Sequence, residues 1–134
     1  PFRALADMPI AMTAHVVYEA IDRDRPATTS PVVVEDVIRG EIGFDGLLIS
    51  DDLSMKALLG DFATRAAASL AAGCDVVLHC NGDMAEMRAV AEGARALDAR
   101  GGARLQRARK LLKAHPGAFD RPRAEAALAE ILRT

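Results

Sequence analysis

Short apolar runs alternate with helical stretches along the chain. "IAMTAH" (10–15) predicts a strand that ends in polar residues, "LLIS" (47–50) a second and "DVVLHC" (75–80) a third. Between the first two, "TSPVVVEDVIRGEIG" (29–43) predicts a helix. Ser30 is its candidate N-cap, Pro31 its first-turn proline and Gly43 its terminator, with Val34, Val37, Ile38 and Ile42 at helical spacing. After the second strand, "LSMKALL" (53–59) predicts one or two helical turns stopped by Gly60. "FATRAAASLAAG" (62–73) predicts an Ala-rich helix ended by Gly73.

The rest predicts helices. "MAEMRAVAEGARAL" (84–97) sets Met84, Met87, Val90, Ala94 and Leu97 on one face, expected to be core. "GARLQRARKLLKAHPG" (102–117) is expected to bury Leu105, Ala108, Leu111 and Leu112, to expose its Arg/Lys run 104–113 and to end at Pro116-Gly117. His115 is then a surface residue at that helix end. "RPRAEAALAEILR" (121–133) opens with Asp120 as cap and Pro122 in its first turn.

Strand–helix alternation implies parallel strands joined by right-handed crossovers. Near-continuous apolar strands imply a sheet covered on both faces. Each strand tip carries polar residues: Thr13 and His15, then Ser50, Asp51 and Asp52, then His79 and Asn81. In a β/α barrel such tips lie on the catalytic face. Three strands cannot close a barrel, which usually needs about 250 residues. The chain is therefore a small open α/β domain or a piece of something larger.

Composition narrows the function classes. The 134 residues are 51% hydrophobic and 27% charged, with a formal net charge of -2. That balance offers no electrostatic footprint for nucleic acid or an anionic membrane. Aromatics make up 4%, too few for a base-stacking platform. No apolar run approaches the roughly 20 residues of a membrane span, and no signal-peptide pattern is visible. Cys74 and Cys80, with five residues between them on an extended segment, are expected to be reduced and partly buried, as in a cytoplasmic protein.

The candidate chemistry centres on Asp51 and Asp52. An aspartate before "LSMKALL" suits a helix cap, and a carboxylate at a strand's carboxyl end also reaches a pocket mouth. Residue types leave both readings open. Adjacent residues on an extended chain point to opposite sides, so one acid can face the pocket while the other caps. His15 at its strand tip is either structural or able to hydrogen-bond a sugar hydroxyl or orient a carboxylate. His79 reads as a satisfied core histidine. No pair of histidines has metal-ligand spacing, Cys74 and Cys80 have no partner set, and no Gly-rich phosphate loop or Gly-x-Ser-x-Gly elbow is present.

The segments "MTAHVVY" (12–18) and "GFDGLLISDDLSM" (43–55) resemble the bacterial family-3 glycoside hydrolases of the β-N-acetylhexosaminidase type. The likeness is dense from Pro9 to Met55, continues through "ASLAAGCDVVLHCNGD" (68–83) and fades over the last fifty residues. It implies the C-terminal portion of a (β/α)8 TIM-type barrel, about strands six to eight with their helices, plus C-terminal helices. On that division residues 1–82 bear the active-site face and 83–134 the C-terminal helices. It further implies a retaining enzyme that removes terminal N-acetylglucosamine from peptidoglycan fragments in the cytoplasm, with no metal or organic cofactor.

By the same resemblance Asp51 is the nucleophile, its ionised form favoured by a nearby helix N-terminus and backbone N–H groups. His15, Thr13, Ser50, Asp52, Met55 and Asn81 then line the pocket. The family's acid/base, a histidine paired with an aspartate on a loop after the fifth strand, has no counterpart here. Nor does the Lys-His-x-Pro-Gly motif before it. The resemblance thus implies that the chain needs a missing N-terminal barrel half and is inactive alone. Two other classes stand beside it: a non-catalytic half-barrel that oligomerises, and a phospho-acceptor receiver domain. A receiver is disfavoured because the acid pair ends the second strand and no lysine ends a later one.

Overall fold

The computed structural model describes residues 1–111 and 119–133. Three parallel strands, β1 (Ile10–Met12), β2 (Leu47–Asp52) and β3 (Val76–Leu78), form one sheet in the order β1-β2-β3. Ile10, Ala11 and Met12 pair in register with Leu47, Leu48 and Ile49. β1 is shorter than the 10–15 run, and β3 shorter than 75–80. β2 is longer than expected and includes both acids.

The crossover from β1 to β2 is helical over Val32–Glu41, but it winds as a π-helix. A turn wider than about 3.6 residues spreads an i, i+4 row over a broader face. Val34 is fully buried, while Val37, Ile38 and Ile42 are only half-buried. Ser30 caps as expected: its hydroxyl oxygen accepts from the Val33 N–H at 3.2 Å and its proton goes to Asp22 at 2.7 Å. Gly43, at φ +76°, lets the Phe44 N–H fold back onto the Ile38 carbonyl at 3.0 Å.

The helical turns expected over 53–59, directly after β2, do not form. Residues 53–60 form turns, for two reasons. The Leu53 N–H continues the sheet by donating to the Leu78 carbonyl at 2.9 Å. The Leu53 and Met55 carbonyls accept from Arg65, at 2.8 and 3.2 Å, instead of from helical N–H groups. The expected Ala-rich helix is α1 (Phe62–Ala71), capped by Asp61 on the Thr64 N–H.

Val34, Phe44, Leu48, Ala72 and Cys74 form one core cluster, and Leu53, Leu58, Ala66 and Val90 a second. The second joins α1 to α2 (Met84–Gly93), where Gly93 leaves no room for a Cβ beside the Ala63 carbonyl. Here the expected core stripe fails. Val90 is buried, but Met84, Met87, Ala94 and Leu97 are exposed, because small residues make this close helix approach.

α3 (Ala99–Lys110) begins earlier than expected, capped by Asp98 on the Gly101 N–H. It buries Ala108, half-buries Leu105 and exposes Leu111. Its basic run is not all solvated, since Arg104 turns inward to Asp75, while Arg107 pairs with Asp45 at the surface. Leu112, His115, Pro116 and Gly117 lie outside the described residues. α4 (Arg121–Ile131) has the expected Asp120 cap, on the Arg123 N–H, and the expected Pro122.

Candidate active site at the strand tips

The two acids end β2 through a local break in pairing. Ile49 stands opposite Val76 and Asp52 opposite Leu78, so β2 carries one extra residue: Ser50 and Asp51 together face Val77. Such a bulge re-aims side chains at a strand end, so simple alternation does not set their directions. Hydroxyls replace the missing ladder partners. The Leu78 N–H donates to Ser50 Oγ at 2.9 Å, and the Asp51 N–H donates to Thr13 Oγ1 at 3.3 Å. Ser50 in turn donates to the Asp51 carbonyl at 2.8 Å. Ser50, Thr13 and Thr28 are all buried, so these bonds are shielded from water.

Asp51 and Asp52 differ in environment. Asp51 is half-buried, and its Oδ1 accepts from the Asp52 N–H at 2.8 Å. Among the described residues its Oδ2 has no hydrogen-bond partner and no cation pairs with it. The helix N-terminus expected beside it is absent, so one backbone N–H supplies its electrostatic support. Asp52 caps the following turn: Oδ2 accepts from the Ser54 hydroxyl at 2.6 Å and Oδ1 from the Ser54 N–H at 3.0 Å. These donors, with the Cys80 thiol, hold its carboxyl far below the usual range, with Ser54 the largest influence.

The other predicted residues divide sharply. His15 and Thr13 join the tip through short hydrogen bonds. His15 Nδ1 lies 2.8 Å from Thr28 Oγ1, and Nε2 lies 2.9 Å from the Asp52 carbonyl oxygen. Both ring nitrogens are thereby engaged within the protein. Met55 is exposed just beyond the tip. Asn81 is exposed and serves the start of α2: its amide nitrogen donates to Glu86 and its oxygen accepts from the Asp83 N–H.

His79 departs from the satisfied core histidine expected of it. Its side chain is 4% exposed, 3.9 Å from Asp52 Oδ1 and 3.3 Å from Glu86 Oε2, yet neither ring nitrogen makes a hydrogen bond. Phe62 packs edge-on against it at 5.2 Å. Thr28 is the site residue that sequence reading missed. Nothing in "PATTSP" (26–31) distinguishes it from Thr29, and only the fold brings it under Thr13 and His15. Both cysteines are free. Cys74 is buried, which pushes its thiol up to about 12, while Cys80 is exposed rather than partly buried. Among the described residues no group of three or more His, Cys, Asp or Glu is placed to hold a metal ion.

Residues 1–113 match the family described as Glycosyl hydrolase family 3 N terminal domain. The chain belongs to glycoside hydrolase family 3. Within that family it is 51% identical over 85 residues to a β-hexosaminidase of Alkalilimnicola ehrlichii, covering 60% of this chain and 24% of that one. It is 52% identical, over the same length and shares, to a β-hexosaminidase of Chromobacterium violaceum. The fold resembles a family 3 β-N-acetylglucosaminidase from Paenibacillus sp., with TM-score 0.72, 26% identity, and coverage of 90% of this chain and 28% of that one. It also resembles NagZ from Neisseria gonorrhoeae, with TM-score 0.68, 34% identity, and coverage of 81% and 31%. The chain thus spans about a quarter of the length of the curated relatives it matches.

Proposed function

We propose that this family 3 chain supplies the nucleophile half of a retaining β-N-acetylglucosaminidase. The observation that carries the reading is Asp51, a half-buried strand-tip carboxylate with one oxygen tied to a backbone N–H and, among the described residues, no partner on the other oxygen and no cation beside it. The free oxygen attacks the anomeric carbon and forms a glycosyl ester as the glycosidic bond breaks. Water then hydrolyses the ester. The leaving oxygen needs a proton, and the family's acid/base histidine is not in this sequence.

The missing part has a surface to meet. β1 is an edge strand with Ile10 and Met12 exposed, beside a hollow of about 460 Å³ lined by Phe2, Leu5, Val37 and Phe44 among others. An apolar edge of this kind fits the preceding strand of a (β/α)8 barrel, in which β1, β2 and β3 are the sixth to eighth strands. The substrate class follows from the family resemblance: terminal N-acetylglucosamine on peptidoglycan fragments, in the cytoplasm, a compartment that two free cysteines suit.

The test is a chimera in which this chain replaces the matching segment of the Alkalilimnicola ehrlichii β-hexosaminidase. It is expected to cleave an aryl N-acetylglucosaminide, and Asp51→Asn to abolish turnover, while the 134-residue chain alone shows none. Full activity in the Asp51→Asn chimera would refute the assignment.

A further inference from the structure

Four short contacts around the β2 tip form a row whose direction can be worked out. The Asp52 carbonyl can only accept, so His15 Nε2 donates to it. In a neutral ring Nδ1 then accepts, and its partner is the Thr28 hydroxyl. With its proton spent, Thr28 Oγ1 accepts from the Thr13 hydroxyl at 2.9 Å. Thr13 Oγ1, its own proton also spent, accepts from the Asp51 N–H. One proton arrangement satisfies every member, and the row begins and ends on the two residues joined by the Asp51–Asp52 peptide bond.

We propose that His15, in its neutral Nε2–H form, is a positioning residue that acts with Thr28 to close this circuit and hold the Asp51–Asp52 backbone from both sides, through the Asp51 N–H and the Asp52 carbonyl. Thr28 and Thr13 are buried, so water cannot stand in for a missing member. Protonation of Nδ1 turns the His15–Thr28 bond round. Thr28 must then give its proton to Thr13, whose Oγ1 now accepts from two donors, and the hold on the Asp51 N–H weakens. The ionisable groups around His15 are few. The Asp52 carboxylate is turned to Ser54, and Asp51 Oδ1 to the Asp52 N–H. The Cys74 thiol donates to the Thr28 carbonyl, and Asp22 is held by Ser30. None of these bonds to the ring, so its charge state is read mainly through Thr28.

The consequence for catalysis rests on Asp51 being the nucleophile, whereas the circuit itself needs no substrate. It is therefore tested by NMR on the 134-residue chain. At pH 8 the ¹⁵N shifts of His15 are expected to show the Nε2–H tautomer. On acidification the Asp51 amide is expected to shift with the His15 midpoint. Thr28→Val should mix the tautomers and speed exchange of the Asp51 amide about tenfold, and Thr28→Ser should restore both. A wild-type Nδ1–H tautomer, which requires no variant to observe, overturns the proposal. So does a Thr28→Val chain in which tautomer and amide are unchanged. Failure of the Asp51→Asn chimera test would leave these NMR results standing, so the two assignments fail separately.

Discussion

The two ends of one sheet both carry aspartates, and they are treated in opposite ways. At the end where β2 and β3 begin, the Asp75 side chain is 6% exposed and both carboxylate oxygens are engaged. Its Oδ2 accepts from Arg39 at 2.9 Å and from the Leu48 N–H at 2.8 Å, and its Oδ1 from Arg104 at 2.9 Å. Arg39 also binds the Phe44 and Gly46 carbonyls, while Arg104 and Arg107 hold Asp45. At the other end, neither Asp51 nor Asp52 meets an arginine or lysine among the described residues. A carboxylate bracketed by guanidinium groups ties elements together. One held only by neutral donors keeps its charge available, as expected of the face where β/α strands end.

The largest expected effect breaks the structural end. Asp75→Ala leaves Arg39 and Arg104 partly buried without their shared partner and should destabilise the chain by about 3–5 kcal/mol. Asp51→Asn keeps the oxygen that accepts the Asp52 N–H and should cost under ~0.5 kcal/mol. Urea titration of both variants checks the contrast, and equal losses would erase the distinction drawn between the ends.

A middle-sized effect is expected from Thr13→Val. It removes a buried hydroxyl used by Asp51 and Thr28, for a loss of about 1–3 kcal/mol in the same titration. A neutral result would mean that the bulged tip does not depend on its side-chain hydroxyls.

The smallest effect concerns acid and salt. Asp52 is depressed below 3.8, first by Ser54, so its stabilisation is present above that value and is lost as pH falls through the lower folded value. Asp52→Asn should therefore flatten the loss of stability below about pH 4. Asp45 is depressed too, chiefly by Arg104, but it is largely exposed and owes its shift to cations. Raising the salt concentration should weaken the contribution of Asp45 and spare that of Asp52. Denaturation midpoints of the two Asn variants across pH and salt measure this. A salt response at Asp52 as large as at Asp45 would contradict the neutral-donor account.

Much of the architecture was legible from pattern because it rests on local chemistry. Alternating apolar runs predict the parallel order. The caps at Ser30 and Asp120 and the positive-φ stops at Gly43 and Gly73 follow from backbone groups that any helix end leaves free. The Met and Leu stripe of 84–97 misled, since periodicity shows that a face is apolar but not what covers it. The basic run of 104–113 misled for a related reason. Arg104 is partly buried because Asp75, distant in sequence, lies beneath it.

By itself the sequence determined that two acids end the second strand, and through its family pattern it singled out Asp51. It could not say how the two would part. That was decided by tertiary structure: a one-residue bulge against β3, a hydroxyl from β1, and a histidine and threonine brought in from the loop that follows β1. The physical reason is that the contacts linking these partners to the β2 tip span 28 to 38 positions along the chain, beyond the reach of any local propensity.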